Sequence, residues 1–422
     1  MSKISLKHSG GNVVSLNSPT NAPSAADVAF KLPNADGSDG QALVTDGSGN
    51  LSFGNVAGGS ARNLIINGAM LVAQRGTSST DAGYSTIDRI NRQVSGTDES
   101  PTFAQVDVAS GTTPYTLGFR KCLKITNGDQ TSGAGASDYL YFWYILEAQD
   151  VANSGWNYTS ASSYITISYW VRSSVSQNFY GMMQTADGTA QNYVWETGSL
   201  TADTWTKITK TIPGNSNLQF DNDVNAGLYI APIRVFDGTD RTASMSLNTW
   251  AAYSGSSRTP DQTPTWYTTN DATLEVTGLQ LEVGSVATDF EHRSFAQELA
   301  LCQRYLYVAY IKESGHSGKY ALPSNVAMWN TTAPYMNMSF PNQMRTTPSL
   351  SMFNVSSAIQ IPFSSPSTVN VSTLYLSYAH RQGTLLYGSG SGGAGVAGQT
   401  SNGYIQSDNL SVGQGIFFSA EL

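Results

Sequence analysis

Tyr164-Ile-Thr-Ile-Ser-Tyr-Trp-Val171 alternates apolar and polar side chains, and Trp205-Thr-Lys-Ile-Thr-Lys-Thr-Ile212 repeats the pattern further along. Successive side chains of a strand point to opposite faces, so this period of two marks strands with one buried face. The reading extends outward in both directions. Upstream lie Phe119-Arg-Lys-Cys-Leu-Lys-Ile-Thr126 and Tyr139-Leu-Tyr-Phe-Trp-Tyr-Ile-Leu146. Downstream lie Gly227-Leu-Tyr-Ile-Ala-Pro-Ile-Arg-Val-Phe236 and Ala272-Thr-Leu-Glu-Val-Thr-Gly-Leu-Gln-Leu-Glu282. Many short strands with no helical pattern between them predict an all-β jelly-roll sandwich over 61–293.

The flanks read differently. Val13-Val-Ser-Leu16, Val28-Ala-Phe-Lys-Leu32 and Gln41-Ala-Leu-Val-Thr45 are too short to build a core. Asp46-Gly-Ser-Gly-Asn50 is a turn signal leading into Leu51-Ser-Phe53, which predicts a hairpin over 41–53. A lone hairpin is marginal in water. Residues 1–60 therefore read as an extended N-terminal arm that docks on other chains, with Ala57-Gly-Gly-Ser60 as linker. One short helix follows the sandwich. Ser294 and Gln297 make a capping box, and Phe295, Leu299, Cys302 and Leu306 share a stripe. That stripe either packs on the sandwich or brings several copies together on a symmetry axis. The helix is assigned to a connector over 294–310. Met336-Asn-Met-Ser-Phe340, Leu350-Ser-Met-Phe353, Thr373-Leu-Tyr-Leu-Ser-Tyr378 and Gly415-Ile-Phe-Phe-Ser-Ala420 then predict a C-terminal β-sandwich over 311–422. Residues 388–403 form a glycine-rich loop between two of its strands.

Composition narrows the function. Of 422 residues only 12% are charged, against about 25% in ordinary soluble proteins. A net charge of −8 and a pI near 5.0 argue against a nucleic-acid partner. Cys122 and Cys302 have no metal-ligand spacing and read as buried reduced thiols, which fits assembly in a cytoplasm. No apolar run approaches the ~18 residues of a membrane helix, so no membrane insertion is expected. Met-Ser-Lys-Ile-Ser-Leu-Lys-His8 lacks the apolar core and cleavage site of a signal peptide.

No catalytic constellation emerges. There is no Gly-x-Ser-x-Gly, and His8, His292, His316 and His380 are scattered. Neither a metal nor a cofactor is expected: Asp221-Asn-Asp223 places oxygen ligands at alternate positions, but lacks the glycine and distal Glu of a calcium loop. Glycoside cleavage needs two facing carboxylates, which sequence does not exclude. Sugar recognition has more support. Trp156, Tyr158, Trp195, Trp250, Tyr253, Trp266 and Tyr267 fall in turn-rich stretches, where aromatic faces can cover a pyranose ring. The same residues can instead plug the ends of the sandwich. Trp143 and Trp170, inside strands, read as core or sheet-face positions.

Three segments resemble tail-fibre and related tail proteins of bacteriophages, marine ones in particular. They are Lys31-Leu-Pro-Asn-Ala-Asp-Gly-Ser-Asp-Gly-Gln-Ala-Leu-Val-Thr-Asp-Gly-Ser-Gly-Asn-Leu-Ser-Phe53, Asn63-Leu-Ile-Ile-Asn-Gly-Ala-Met70 and Leu279-Gln-Leu-Glu-Val-Gly-Ser-Val-Ala-Thr-Asp-Phe-Glu291. Ala73-Gln-Arg-Gly76, Asp88-Arg89, Gln303-Arg-Tyr305 and Ser419-Ala-Glu-Leu422 are similar as well. The third segment closes a domain that looks like a carbohydrate-binding jelly roll. The resemblance implies a virion structural protein, a homotrimer whose residues 1–60 attach to other phage tail proteins. Its distal domains would meet host cell-surface polysaccharide. A polysaccharide depolymerase and a purely architectural decoration protein are the rival expectations.

Overall fold

The computed structural model describes residues 3–7, 10, 13–17, 31–34, 36, 41–45, 50–55, 62–238, 245–255, 258–312, 314–315, 317–352, 359–362, 368–391, 396–406 and 414–422. They divide into two compact units, Met1–Arg62 and Asn63–Leu422. The described chain is all-β, with three short helices.

In the first unit β1 (Lys3–Lys7) pairs antiparallel with β2 (Val13–Asn17), and β3 (Gln41–Thr45) with β4 (Leu51–Asn55). The second pair is the hairpin expected from its turn sequence. That turn at 46–49, the linker 57–60 and the stretch 28–30 lie outside the described residues.

Twelve strands build the sandwich of the second unit. They are β5 (Ser78–Ser79), β6 (Asn91–Ser95), β7 (Thr102–Asp107), β8 (Lys121–Thr126), β9 (Tyr139–Glu147) and β10 (Tyr164–Ser173). After them come β11 (Asn178–Thr185), β12 (Gln191–Ser199), β13 (Thr206–Pro213), β14 (Ala226–Asp237), β15 (Trp250–Ala252) and β16 (Thr273–Val283). One sheet runs β13-β10-β16-β8-β7-β5 and the other β15-β12-β11-β14-β9-β6. The apolar face of β10 is buried as read, but its polar face is covered as well, with Thr166 at 0% and Ser168 at 4% exposure. Ile165, Ile167, Tyr169 and Val171 enter the core at 0% exposure, while Trp170 belongs to a cluster on the outer face. Phe142, Tyr144 and Leu146 of β9 and Leu228 and Ile230 of β14 join them in that core. Each such burial contributes about 1.5–3 kcal/mol.

The remaining strands are β17 (Leu306–Ile311), β18 (Lys319–Met328), β19 (Pro334–Ser339), β20 (Ser349–Met352) and β21 (Ile359–Pro362). They continue with β22 (Thr368–Leu376), β23 (Gly383–Ser391), β24 (Thr400–Gln406) and β25 (Gly415–Ser419). Strands β18-β19-β23-β22-β21-β24 close into a barrel, and β17-β25-β20 form a small sheet. The C-terminal β-layers thus take a closed form, sharing one core through Met336, Leu386, Ile416 and Phe418. The glycine-rich stretch is partly strand: β23 continues to Ser391 and β24 starts at Thr400, with 392–395 outside the described residues. Gly390 permits this, since a Cβ there would lie 2.6 Å from the Asn370 carbonyl oxygen.

Helices α1 (Thr113–Thr116) and α2 (Ala148–Ala152) are single turns. Helix α3 (Phe295–Cys302) has the expected capping box, Ser294 with Gln297. It is shorter than the 294–310 connector, because Leu306 already opens β17. The apolar stripe therefore splits. Cys302 and Leu306 are buried within the chain at 0% exposure, Leu299 is half-buried, and Phe295 is 57% exposed. Cys302 and Leu306 are core residues of the chain and not surface contacts. The other buried position of α3 is Glu298, whose carboxylate accepts the Asn67 N–H at 2.7 Å.

Two segments flagged in the sequence clasp one another. Asn63 Oδ1 accepts the N–H groups of Ile65 and Leu281, both at 3.0 Å, and its Nδ2 donates to Leu279 O at 3.2 Å. Glu291 Oε2 accepts Asn63 N–H at 2.5 Å. Gly68 lies against the same strand, where a Cβ would fall 2.0 Å from Leu279 O. The chain's last residues close a second junction. Glu421 pairs with Arg89 at 2.7 Å and Arg75 at 3.2 Å. Arg345 donates to the carbonyls of Ala420, Glu421 and Val224. Among the described residues no helix is long and apolar enough to cross a membrane.

Candidate functional site

The outer face of the second sheet carries an aromatic cluster. On β9 the residues Leu140, Phe142, Tyr144 and Leu146 face the core, so Tyr139, Tyr141 and Trp143 face away from it. Antiparallel pairing then fixes what surrounds them. Gln93 stands opposite Tyr141 across β6, Asn91 opposite Trp143, and Gln184 opposite Tyr229 across β11 and β14. The rings form one continuous strip, in which Tyr141 and Trp143 are buried at 4% and 9% exposure and Tyr139 and Tyr229 are half-buried, so the strip is reached from its two ends. Tyr139 and Tyr141 lie 5.6 Å apart, Tyr141 and Trp143 5.3 Å, and Trp143 and Tyr229 5.6 Å, centroid to centroid.

A cleft of about 310 Å³ opens on this strip, lined by Gln93, Tyr139, Tyr141, Trp143, Gln184, Tyr229, Tyr253 and Arg258. It lies within the usual range for ligand pockets, about 300–1,000 Å³. Arg234 supports it from within the sheet. Its guanidinium is 3.6 Å from the Tyr141 ring centroid and 5.6 Å from that of Trp143, and it pairs with buried Asp237. Being 0% exposed, this cation fixes the rings through contacts that water does not weaken. At the rim Arg258 Nε donates to the Tyr253 hydroxyl at 2.7 Å. Gln93 Nε2 donates to Asn91 Oδ1 at 2.7 Å, orienting one of the two lining amides.

The arrangement suits a sugar chain. Aromatic faces cover the apolar C–H faces of pyranose rings, and amides beside them exchange hydrogen bonds with hydroxyls. No carboxylate is among the described lining residues.

Of the seven aromatics singled out from sequence, only Tyr253 lines this cleft. Four are buried plugs: Trp156 at 3% exposure, Trp195 and Trp266 at 0% and Tyr267 at 1%. Their polar atoms point inward. Trp195 Nε1 donates to the Tyr169 hydroxyl at 3.3 Å and Trp266 Nε1 to Thr273 O at 3.0 Å. Gly181 makes room for Trp195, because a Cβ there would sit 2.4 Å from its ring. Tyr267 stacks on Phe236 at 4.5 Å, and burial pushes its hydroxyl pKa well up. Tyr158 packs edge-on against Phe220, and Trp250 holds Pro213 O through Nε1 at 2.7 Å. Both lie against the core. The aromatics that line the cleft are instead Tyr139, Tyr141, Trp143 and Tyr229, with Tyr253. The signal was present in Tyr139–Leu146, where aromatics at every second position define one face.

Other candidates resolve plainly. Asp221 N–H bonds Asp187 Oδ2 at 3.0 Å and Asp223 Oδ1 accepts Asn225 N–H at 2.9 Å, as in a solvated turn. Among the described residues no group of three or more His, Cys, Asp or Glu is gathered as metal ligands would be. His292 Nε2 bonds Leu117 O at 2.9 Å, while His8 and His316 lie outside the described residues.

No known family model matches the chain. No curated protein matches it either. Solved structures do. Bacteriophage CBA120 tailspike protein 4, in its enzymatically active domain, matches with TM-score 0.29 and 7% identity over 53% of this chain, but only 22% of its own length. The CBM22-2 xylan-binding domain of Paenibacillus barcinonensis matches with TM-score 0.24 and 12% identity, over 47% of this chain and 94% of that one. A family 11 carbohydrate-binding module from Clostridium thermocellum, in complex with a mixed-linked tetrasaccharide, gives 0.23 and 11%, over 50% and 98%. At such scores the likeness carries no argument about function, which rests on the cleft itself.

Proposed function

We propose that the chain is a non-enzymatic glycan-binding component of a phage tail, holding host cell-surface polysaccharide in the aromatic cleft of its jelly roll. The single observation that carries the binding role is the strip Tyr139–Tyr141–Trp143–Tyr229, flanked by Gln93 and Gln184. Placement on the virion is supported by the sequence segments at 31–53, 63–70 and 279–291. In this reading residues 1–60 attach the protein to other tail proteins after assembly in the host cytoplasm. The working form is a homotrimer, in which weak contacts from each copy sum to firm attachment. Cys302 and Leu306 being buried, an axial contact through α3 would use Phe295, Leu301 and the half-buried Leu299.

The test is calorimetric titration of the full chain with host envelope polysaccharide, alongside Tyr229→Ala and Gln184→Ala. Saturable binding weakened by both changes, with no reducing sugar released, is the expected result. Release of reducing ends would give the depolymerase reading instead. Binding that both variants retain in full would remove the cleft from the account, and no binding at all would favour an architectural role.

A further inference from the structure

The opposite sheet carries a second, smaller pocket that the first cleft does not explain. Its volume is about 220 Å³, and its lining includes Phe119, Ser168, Trp170, Lys207, Phe290 and His292. Strand β10 turns Ser168 and Trp170 outward, since Ile167 and Tyr169 on either side enter the core. Pairing with β13 sets Lys207 directly across from Trp170. Phe119, Phe290 and His292 pack as a three-ring wall with centroids 4.9–5.0 Å apart. Gly278 keeps that wall in place. At φ +65° it lies where a Cβ would be 2.7 Å from the Phe119 ring.

The polar groups divide into occupied and waiting. Thr288 Oγ1 donates to Glu282 at 2.5 Å, and His292 Nε2 is bonded to Leu117 O. Ser168 is only 4% exposed, yet its hydroxyl has no hydrogen-bond partner among the described residues. Its Oγ opens on the pocket and is not sealed from water, so a ligand hydroxyl that bonds it takes the place of solvent. Lys207 is exposed and makes no ion pair among the described residues. Asp289 is the one carboxylate in the lining, and it is exposed to solvent.

We propose that this pocket binds a single acidic sugar ring, independently of the first cleft. The ring lies against Trp170, a ring hydroxyl meets Ser168 Oγ, and the carboxylate pairs with Lys207. The size sets the limit to one ring, since 220 Å³ falls below the range of about 300–1,000 Å³ typical of drug-sized ligands. Charge sets the preference for an acid, because a carboxylate forms an ion pair with Lys207 that a neutral sugar cannot.

The experiment titrates the full chain with methyl β-glucuronide and, separately, methyl β-glucoside, followed by calorimetry. Wild type, Lys207→Met, Trp170→Ala and Tyr229→Ala are compared, with thermal melting as the check on folding. Lys207 is exposed, so its variant should melt as wild type does. Millimolar binding of the glucuronide is expected, weakened about tenfold by Lys207→Met, as loss of a charged hydrogen bond implies, weakened also by Trp170→Ala, and untouched by Tyr229→Ala. Three outcomes overturn the proposal: no saturable binding of the glucuronide, equal affinity for the neutral glucoside, or loss of binding in Tyr229→Ala. The last would return the sugar to the first cleft.

Discussion

Glu147 and Arg304 meet in a two-pronged ion pair, Arg304 Nε to Oε1 at 2.7 Å and Nη2 to Oε2 at 2.6 Å. The Tyr305 hydroxyl adds a third donor to Oε1 at 2.6 Å. Glu147 ends β9, the strand of the aromatic strip, and its side chain is 0% exposed while Arg304 is 25% exposed. The junction between jelly roll and C-terminal strands thus bears directly on the strand that carries the cleft.

Glu147→Ala should therefore destabilise the second unit by about 2–4 kcal/mol, the scale for breaking a buried pair with one partner partly wet. Burial alone would raise the Glu147 pKa, but its bonds to Arg304 and Tyr305 outweigh that and hold it below the usual 4.5. A depressed carboxylate stabilises above its unfolded pKa, so this contribution is present above about pH 4.5 and lost as the pH falls below it. Denaturant melts across pH 3–7 check the point. Equal midpoints for wild type and variant at neutral pH would contradict it.

Asp88 should behave oppositely. Burial pushes its carboxyl up to about 6 against Gln74 and Arg75, which favour the charged form. Between the ordinary 3.8 and about 6 the folded chain holds a proton that the unfolded chain releases. Stability from this group therefore declines as the pH rises through that window. A carboxyl NMR titration should place the Asp88 midpoint near 6; one near 4 would refute the buried assignment.

Gly68→Ala should lower stability by about 1–3 kcal/mol, the range for overpacking. Its new Cβ would meet Leu279 O at 2.0 Å, which no side-chain rotation relieves. Gly76→Ala serves as the control: nothing lies within 4 Å of a Cβ there, though its φ of +128° carries a backbone cost. Thermal melting should show the clash at Gly68 as an added loss, and equal losses would count against the clasp.

Both thiols should be silent in the native state. Cys122 and Cys302 are free and buried, and burial raises the first to about 12 and the second far above its usual value. A chromogenic disulfide reagent should label neither in buffer and both in denaturant. Rapid native labelling of either would show that its site opens.

Within the cleft, Tyr229→Ala should weaken polysaccharide binding by about tenfold, as loss of a stacking ring implies. Trp250→Ala should instead lower stability and leave affinity unchanged, since Trp250 packs on Tyr193 and bonds Pro213. Calorimetry and melting on both variants separate the two effects.

The β architecture was legible because alternation is a local signal. Ile165, Ile167, Tyr169 and Val171 announce a buried face without reference to anything distant. The α3 cap was equally local. The cleft was not, because its composition depends on which strands become neighbours. Tyr229 joins Trp143 only through the β14–β9 pairing, 86 positions apart by the numbering. Turn-rich context misled the choice of Trp195 and Trp266, whose indoles are drawn inward by Tyr169 and Thr273 O. The Arg89–Glu421 and Glu147–Arg304 pairs were unreadable for the same reason.

The position of β16 has a consequence for how the chain acquires its shape. This strand lies between β10 and β8, although it follows both by a long stretch of chain. Until it arrives the first sheet is two fragments, each with a bare edge able to pair with a neighbouring molecule. Its insertion joins the fragments and delivers Leu279 and Leu281 to Asn63 in the same event. Folding of the jelly roll should therefore be slow and nearly all-or-none, as long-range pairing demands. Crowded production of the protein would be most hazardous in the interval before that one strand is placed.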